Sequence, residues 1–203
     1  MKLHEFRRAP NPRRVRVFLK EKGLEVPTEQ VDLFKGEHKN PEYLKRNPSG
    51  LVPTLELDDG RYIAETVAIC RYVEELHPNP PLLGSDAFDK ANVEMWQRRA
   101  ELELLMPIAH CFRHTAEGAK PLEPQQVKEW GELNRGRALS AMRRFDKELA
   151  GREFLAGPRF TIADITALCA IDFAKAARIV IPEDCVNLKR WHQAVSARAS
   201  AAA

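Results

Sequence analysis

The sequence is poor in the features that would place a chain in a membrane, a secretory route or a metal cluster. Its 203 residues contain no uninterrupted apolar run near the roughly 18 residues a bilayer span needs. Glu5, Arg7 and Arg8 break any signal-peptide core, so a cytoplasmic location is expected. The four cysteines, Cys70, Cys111, Cys169 and Cys185, are widely spaced and form no C-x-x-C, which removes a dithiol redox motif and a cysteine-rich zinc module. They read as buried free thiols. Charge of one sign is also scarce: 32 Lys plus Arg against 29 Asp plus Glu leave +3, too little to demand a polyanionic partner. Aromatics make up 7%, with little aromatic interleaving among the basic residues and no nucleic-acid motif. No internal repeat is present. What remains, 44% hydrophobic and 30% charged, is an ordinary globular composition with room for one large or two modest domains.

The periodicity divides the chain. Lys2 to Phe6 reads as a short strand, and Asn11 before Pro12 reads as an N-cap followed by proline at the first helical position, with Val15, Phe18 and Leu19 as the apolar stripe. Strand-like residues return at Thr28 to Leu33. A polar loop with Gly36 and Pro41 comes next, and then Thr54 to Leu57 pairs with Tyr62 to Ala64 across Asp59-Gly60, a strong hairpin signal. A helix opens at Glu65-Thr66. Beyond the cluster of Pro78, Pro80 and Pro81 the period is helical throughout. One stripe runs through Met95, Leu102, Leu105, Met106, Ala109 and Phe112, kinked at Pro107; a second runs through Trp130, Leu133, Ala138, Met142, Phe145 and Leu149. Thr161 and Asp164 resemble a capping box with Phe160 and Ile165 as its staple, opening a buried helix of roughly 16 residues. A last helix carries Leu188, Trp191 and Val195, and the tail from Ala197 is expected to fray.

Three segments then stand in a telling order: Ala9-Pro10-Asn11-Pro12-Arg13-Arg14-Val15, Asn47-Pro48-Ser49-Gly50-Leu51-Val52-Pro53-Thr54-Leu55, and Ile63-Ala64-Glu65-Thr66. With the proline-rich linker and the Phe160 to Asp164 motif, they resemble a cytosolic glutathione S-transferase of bacterial theta- or nu-like type along nearly the whole chain. The resemblance implies an α/β plus all-α architecture: a thioredoxin-like glutathione-binding domain over 1–78, a linker over 79–85, and a helical domain over 86–203 that carries the co-substrate pocket. It also implies a homodimer, glutathione as co-substrate, and no metal, nucleic-acid or membrane partner.

The resemblance assigns roles that the residues can bear. In the family the bond corresponding to Val52-Pro53 is cis, which turns the main chain of Val52 outward to bond the cysteinyl part of a peptide ligand. Read alone, an X-Pro bond is more often an ordinary trans proline opening an edge strand, and the surrounding motif reverses that preference. Glu65 and Thr66 read as helix caps, and as the acceptor for a γ-glutamyl ammonium and the donor to its carboxylate. His38 and Lys39 occupy a loop that in related theta-like members contacts the glycine carboxylate. Leu51 stands where many members place lysine, which makes those two residues the alternative cations.

The departure that matters most is Ala9, at the position of the serine that many members direct at the glutathione sulfur. Asn11 is the candidate replacement, as in nu-like members; its other reading is a plain N-cap. A thiol of pKa about 8.5 is brought down by about 1.5 units for roughly 2 kcal/mol. One hydrogen bond to a charged acceptor contributes about 1.5 to 3 kcal/mol, and a helix N-terminus about 0.3 to 1 kcal/mol, so an amide and a dipole suffice.

Arg7, Arg8, Arg13, Arg14 and Arg16 crowd the same turn and read first as a solvated face, then as a rim that steers an anionic ligand. His110 and His114 share a helical face at i and i+4 without a third ligand, which is weak for a metal. The resemblance places Met106, His110, Phe112 and His114 beside a hydrophobic electrophile or disulfide. The activity it implies is transfer of glutathione to such an electrophile. Alternatives are glutathione-dependent disulfide reduction or peroxidase activity, and a non-catalytic binding or regulatory protein, which Ala9 favours.

Overall fold

A computed structural model describes residues 1–203, which form two compact units, Met1–Pro80 and Pro81–Ala202. In the first, β1 (Lys2–Glu5), α1 (Pro10–Glu21) and β2 (Thr28–Gln30) are followed by α2 (Pro41–Arg46), β3 (Thr54–Glu56), β4 (Tyr62–Ala64) and α3 (Thr66–Leu76). The sheet order is β2-β1-β3-β4, with β1 parallel to β2 and antiparallel to β3. This is the thioredoxin-like arrangement of β-α-β followed by β-β-α. Asp59-Gly60 turns β3 into β4 as expected, with Gly60 at φ +83°, where a side chain would be strained.

Two local expectations give way. Helix α1 starts at Pro10 with extended Ala9 as its N-cap, so Asn11 is the second helical residue rather than the cap. Both prolines fit because the first-turn N–H groups have no partner within the helix. Helix α2, which falls in the expected polar loop, is opened by Asn40 and Pro41, and its Tyr43 packs into a cluster with Val31 and Val52.

Register fixes where the loops meet. His4 stands opposite Thr54, Thr54 opposite Ala64, and Glu5 opposite Gln30. The ends of β1, β2 and β4 and the beginning of β3 therefore lie at one end of the sheet, where α1 and α3 also begin.

The second unit comprises α4 (Ala87–Arg99), a π-helical segment Ala100–Leu105, α5 (Met106–Thr115), α6 (Lys128–Glu148), α7 (Ile162–Ala174) and α8 (Val186–Ser196). The π segment absorbs the conflict between Pro107 and the carbonyl one turn before it. It also shifts the phase of the first stripe. Val93, Trp96, Leu104, Ile108 and Cys111 enter the core, whereas Met95, Leu102 and Met106 are exposed. On α6, Ala138, Met142 and Phe145 are buried, and Trp130 and Leu133 are exposed.

Helix α7 is apolar on every side and buried, as a central helix should be. The Thr161–Asp164 capping box forms. Asp164 Oδ2 accepts from Thr161 N–H at 3.0 Å, and Oδ1 accepts from Leu155 N–H and Trp191 Nε1, each at 3.0 Å. One buried carboxylate thus joins the α7 cap, the preceding loop and α8. The tail does not fray: Ala199–Ala202 winds as a 3₁₀ turn with Ser200 buried. All four cysteines are buried, and none is in a disulfide.

Candidate functional site

At the shared end of the sheet the chain presents main-chain groups and two helix N-termini. The Val52-Pro53 bond is cis, and neither the N–H nor the C=O of Val52 makes a hydrogen bond within the chain. Its side chain is buried against Val31 and Tyr43. The segment just before it is fixed from below. Tyr43 Oη donates to Leu51 O at 2.6 Å, and Asn47 Nδ2 donates to the same oxygen at 2.8 Å. Both also touch Thr54 Oγ1, at 3.0 and 3.2 Å, so the residues on either side of Val52-Pro53 share one buried polar network.

Glu65 follows β4 with φ 68° and ψ 124°, a positive-φ conformation that costs a non-glycine residue about 1 to 3 kcal/mol. It leaves the carboxylate exposed at the N-terminus of α3. Thr66, the first residue of that helix, is buried, and its hydroxyl donates to Asn11 O at 3.5 Å. The starts of α1 and α3 are thereby in contact.

Asn11 is exposed, and its Oδ1 accepts from Arg14 Nη1 at 3.1 Å. The Nδ2 hydrogens are left without a partner in the chain. Arg14 is 1% exposed, which overturns its expected place on a solvated rim. Arg16 pairs with the buried Glu5, while Arg7 and Arg8 remain exposed. A buried guanidinium one helical turn from Asn11 polarises the amide and adds positive potential beside it.

His38 and Lys39 lie in a 3₁₀ turn, Glu37–Lys39. Asp32 Oδ1 accepts from Phe34 N–H at 2.9 Å and Glu37 Oε2 accepts from Asp32 N–H at 2.7 Å, which shapes the loop. Gly50, at φ +61°, lets the turn approach closely: a Cβ there would stand 3.1 Å from His38 O. Lys39 is exposed, and so is Leu51, where the expected lysine is missing.

In the second unit a cavity of about 700 Å³ runs between α5 and α6. Met106 and His110 line it from one side, and Trp130, Leu133 and Arg137 from the other. His110 and Trp130 meet edge to face at 5.9 Å. Burial, then the cost of charging the ring beside His114 and Arg113, holds the His110 imidazole below its ordinary pKa. Phe112 and His114 lie outside this cavity. Phe112 packs on Phe173 at 5.2 Å, and His114 Nδ1 accepts the N–H of Val127 at 3.1 Å, tying down the start of α6.

Sequence reasoning misses the buried network of Tyr43, Asn47 and Thr54 around Val52-Pro53, and it places Arg14 on the rim. The signal for Arg14 is its spacing of three from Asn11 on one helix face. Nothing local in the sequence marks Tyr43.

Comparison with known proteins agrees with this architecture. A family model described as "Glutathione S-transferase, N-terminal domain" matches residues 9–76, and one described as "Glutathione S-transferase, C-terminal domain" matches residues 104–199. Glutathione S-transferase 2 of Saccharomyces cerevisiae is 43% identical over 194 residues, 94% of this chain and 83% of the relative. A maleylacetoacetate isomerase of Pseudomonas aeruginosa is 31% identical, covering 81% of this chain and 77% of its own length. Among solved structures, Gtt2 from Saccharomyces cerevisiae superposes with a TM-score of 0.94 at 41% identity, covering 98% of each chain. A glutathione S-transferase domain-containing protein from Marinobacter aquaeolei gives 0.95 at 39% identity, covering 98% of this chain and 99% of its own. The chain belongs to the glutathione S-transferase family.

Proposed function

We propose that this chain conjugates the thiolate of glutathione to a hydrophobic electrophile, with the first unit binding glutathione and the second holding the electrophile. The observation that carries the reading is the convergence, at one end of the sheet, of the unbonded main chain of Val52 with the N-termini of α1 and α3. An extended peptide ligand adds to such an edge through its own main chain. Helix N-termini attract its carboxylate and its thiolate. Glu65, held exposed by a strained backbone, receives the γ-glutamyl ammonium, and Thr66 supports the neighbouring carboxylate. His38 and Lys39 take the glycine carboxylate.

The sulfur sits by Asn11. Its Nδ2 hydrogens are available, Arg14 polarises the amide, and the α1 dipole adds to the field. The thiol loses its proton to solvent, and the positioned thiolate then attacks the electrophile. Met106 and His110 contribute to the electrophile's seat. The names of the relatives favour transfer over disulfide reduction or a non-catalytic role. A homodimer in the cytoplasm, with domains bounded at 78 and 86, completes the reading.

Calorimetric titration with glutathione tests binding, and saturation in the millimolar range or below is expected. The Asn11→Ala variant is expected to lose bound-thiolate absorbance near neutral pH, with about a tenfold lower conjugation rate for each 1.4 kcal/mol of lost stabilisation. Unchanged absorbance and rate would remove Asn11 from the sulfur site. Absent glutathione binding would remove the whole reading.

A further inference from the structure

The cavity between α5 and α6 has an asymmetry of charge. Two arginines line it, Arg137 and Arg144. Arg144 is neutralised by an ion pair with Glu103, another lining residue. Arg137 has no ion-pair partner in the chain. Its guanidinium lies 5.1 Å from the ring centroid of Trp130, which is the aromatic wall of the cavity. The opposite wall offers His110 edge-on to the same indole, and that imidazole is held toward its neutral form. Met106 and Leu133 supply exposed apolar surface beside the rings. The cavity therefore combines an aromatic wall, apolar flanks and one exposed cation that is paired with no carboxylate. Its volume of about 700 Å³ suits a single small ligand.

Resting on the reading of this cavity as the electrophile's seat, we propose that it selects aromatic electrophiles bearing an ionised acid group, with Arg137 as the specificity-determining residue. The acid group draws the guanidinium off the indole into a charge-assisted hydrogen bond, and the ring of the ligand takes its place against Trp130. An uncharged aromatic makes no charge-assisted bond to the guanidinium, and an aliphatic acid leaves the aromatic wall unused. In an aryl-halide substrate the glutathione thiolate forms a C–S bond at the ring carbon carrying the halogen. The C–halogen bond breaks, halide departs with its bonding pair, and the thiol proton goes to solvent. No net oxidation occurs.

Equilibrium binding separates this inference from the transferase reading because it needs no turnover. The probes are dinitrobenzoate and dinitrobenzene, which lack a leaving halide, followed by calorimetry and by quenching of tryptophan fluorescence. The carboxylate is expected to bind about tenfold more tightly, equivalent to about 1.4 kcal/mol. In Arg137→Gln that ratio is expected to fall to about one, with Arg137→Lys recovering part of it, and Trp130→Phe is expected to abolish most of the quenching. Equal affinities in the unaltered protein, or a ratio that survives Arg137→Gln, would overturn the assignment. So would a change in oligomeric mass with Arg137→Gln, because it would mean that a second copy covers the cavity. Failure to bind or conjugate glutathione, with the carboxylate preference intact, would sink the transferase reading alone.

Discussion

Tyr43 donates its hydroxyl hydrogen to the carbonyl oxygen of Leu51 at 2.6 Å, from a side chain that is itself buried. Asn47 donates to the same oxygen, and its own Oδ1 accepts from the N–H and hydroxyl of Ser49, so one amide braces residues on both sides of Gly50. The main chain offered by Val52 is thus held in place by residues that need not touch a ligand. Tyr43→Phe leaves Asn47 still donating to Leu51 and is expected to cost about 1 kcal/mol of stability. Asn47→Ala removes that second donor and the brace on Ser49 together, and is expected to cost about 2 kcal/mol, with a several-fold weaker glutathione affinity and little change in the rate at saturation. Urea melts and a KM-against-kcat comparison check both variants.

Lys22, which caps the C-terminus of α1, forms an ion pair with Glu74 of α3, with the lysine head wholly buried and also donating to Pro80 O. Removing the lysine takes a buried positive charge from beside the Glu74 carboxylate and leaves Pro80 O without its donor. Lys22→Met is expected to destabilise the protein by about 3 to 5 kcal/mol, and the double variant Lys22→Met with Glu74→Leu to recover most of that loss. Chemical denaturation of the two variants side by side measures the recovery.

Two carboxyl groups pull the pH dependence in opposite directions. Burial pushes Asp164 up to about 6 despite its four donors, so the folded chain holds that proton more tightly than the unfolded one. Its contribution is full below about pH 4 and is lost as pH rises through 6, on the order of 3 kcal/mol. Hydrogen bonding to Lys2, with help from Arg46, lowers Glu29 to about 2. Its contribution is present above about pH 4.5 and is lost as pH falls through 2. Denaturant melts between about pH 3 and 8 are expected to show a decline across the range from 4 to 6 that Asp164→Asn flattens, while Glu29→Gln is expected to alter only the acid limb.

Gly131 lets α6 approach α5. A Cβ at that position would stand 2.5 Å from Thr115 Cγ2 and 3.1 Å from His114 Cβ. Gly131→Ala gains helix propensity but must part the helices, and is expected to cost about 1 to 3 kcal/mol net. The cavity lined by His110 and Trp130 widens as a result, so dinitrobenzoate affinity is expected to fall together with the melting temperature. An unchanged melting temperature would show that the backbone accommodates the methyl group.

The features legible in the sequence are those that depend on neighbours in the chain. The Asp59-Gly60 turn and the Thr161–Asp164 cap are local chemistry, and both form as expected. Asn40 and Pro41 carry the same kind of helix signal as the start of α1, yet α2 escapes a periodicity reading because its six residues leave no room for a stripe. The position of Asn11 turns on which of two prolines opens the helix, and both satisfy the same rule. Burial of Arg14 and the Tyr43–Leu51 bond depend on tertiary packing, which no window of sequence contains.

The π-helical stretch Ala100–Leu105 has a consequence for how this chain tolerates changes in length. A π turn is an α-helix that has taken in a spare residue without rotating the turns beyond it. Shortening the chain by one position inside 100–105, with Pro107→Ala so that no ring meets the restored α-helical carbonyl, is therefore expected to erase the bulge and leave Met106 and His110 aimed at Trp130. The same deletion ahead of Leu133 within α6 would swing Leu133 and Arg137 by about 100° away from that wall. The two helices flanking one cavity thus differ in their tolerance of length change: one has slack spliced into it, and the other has none.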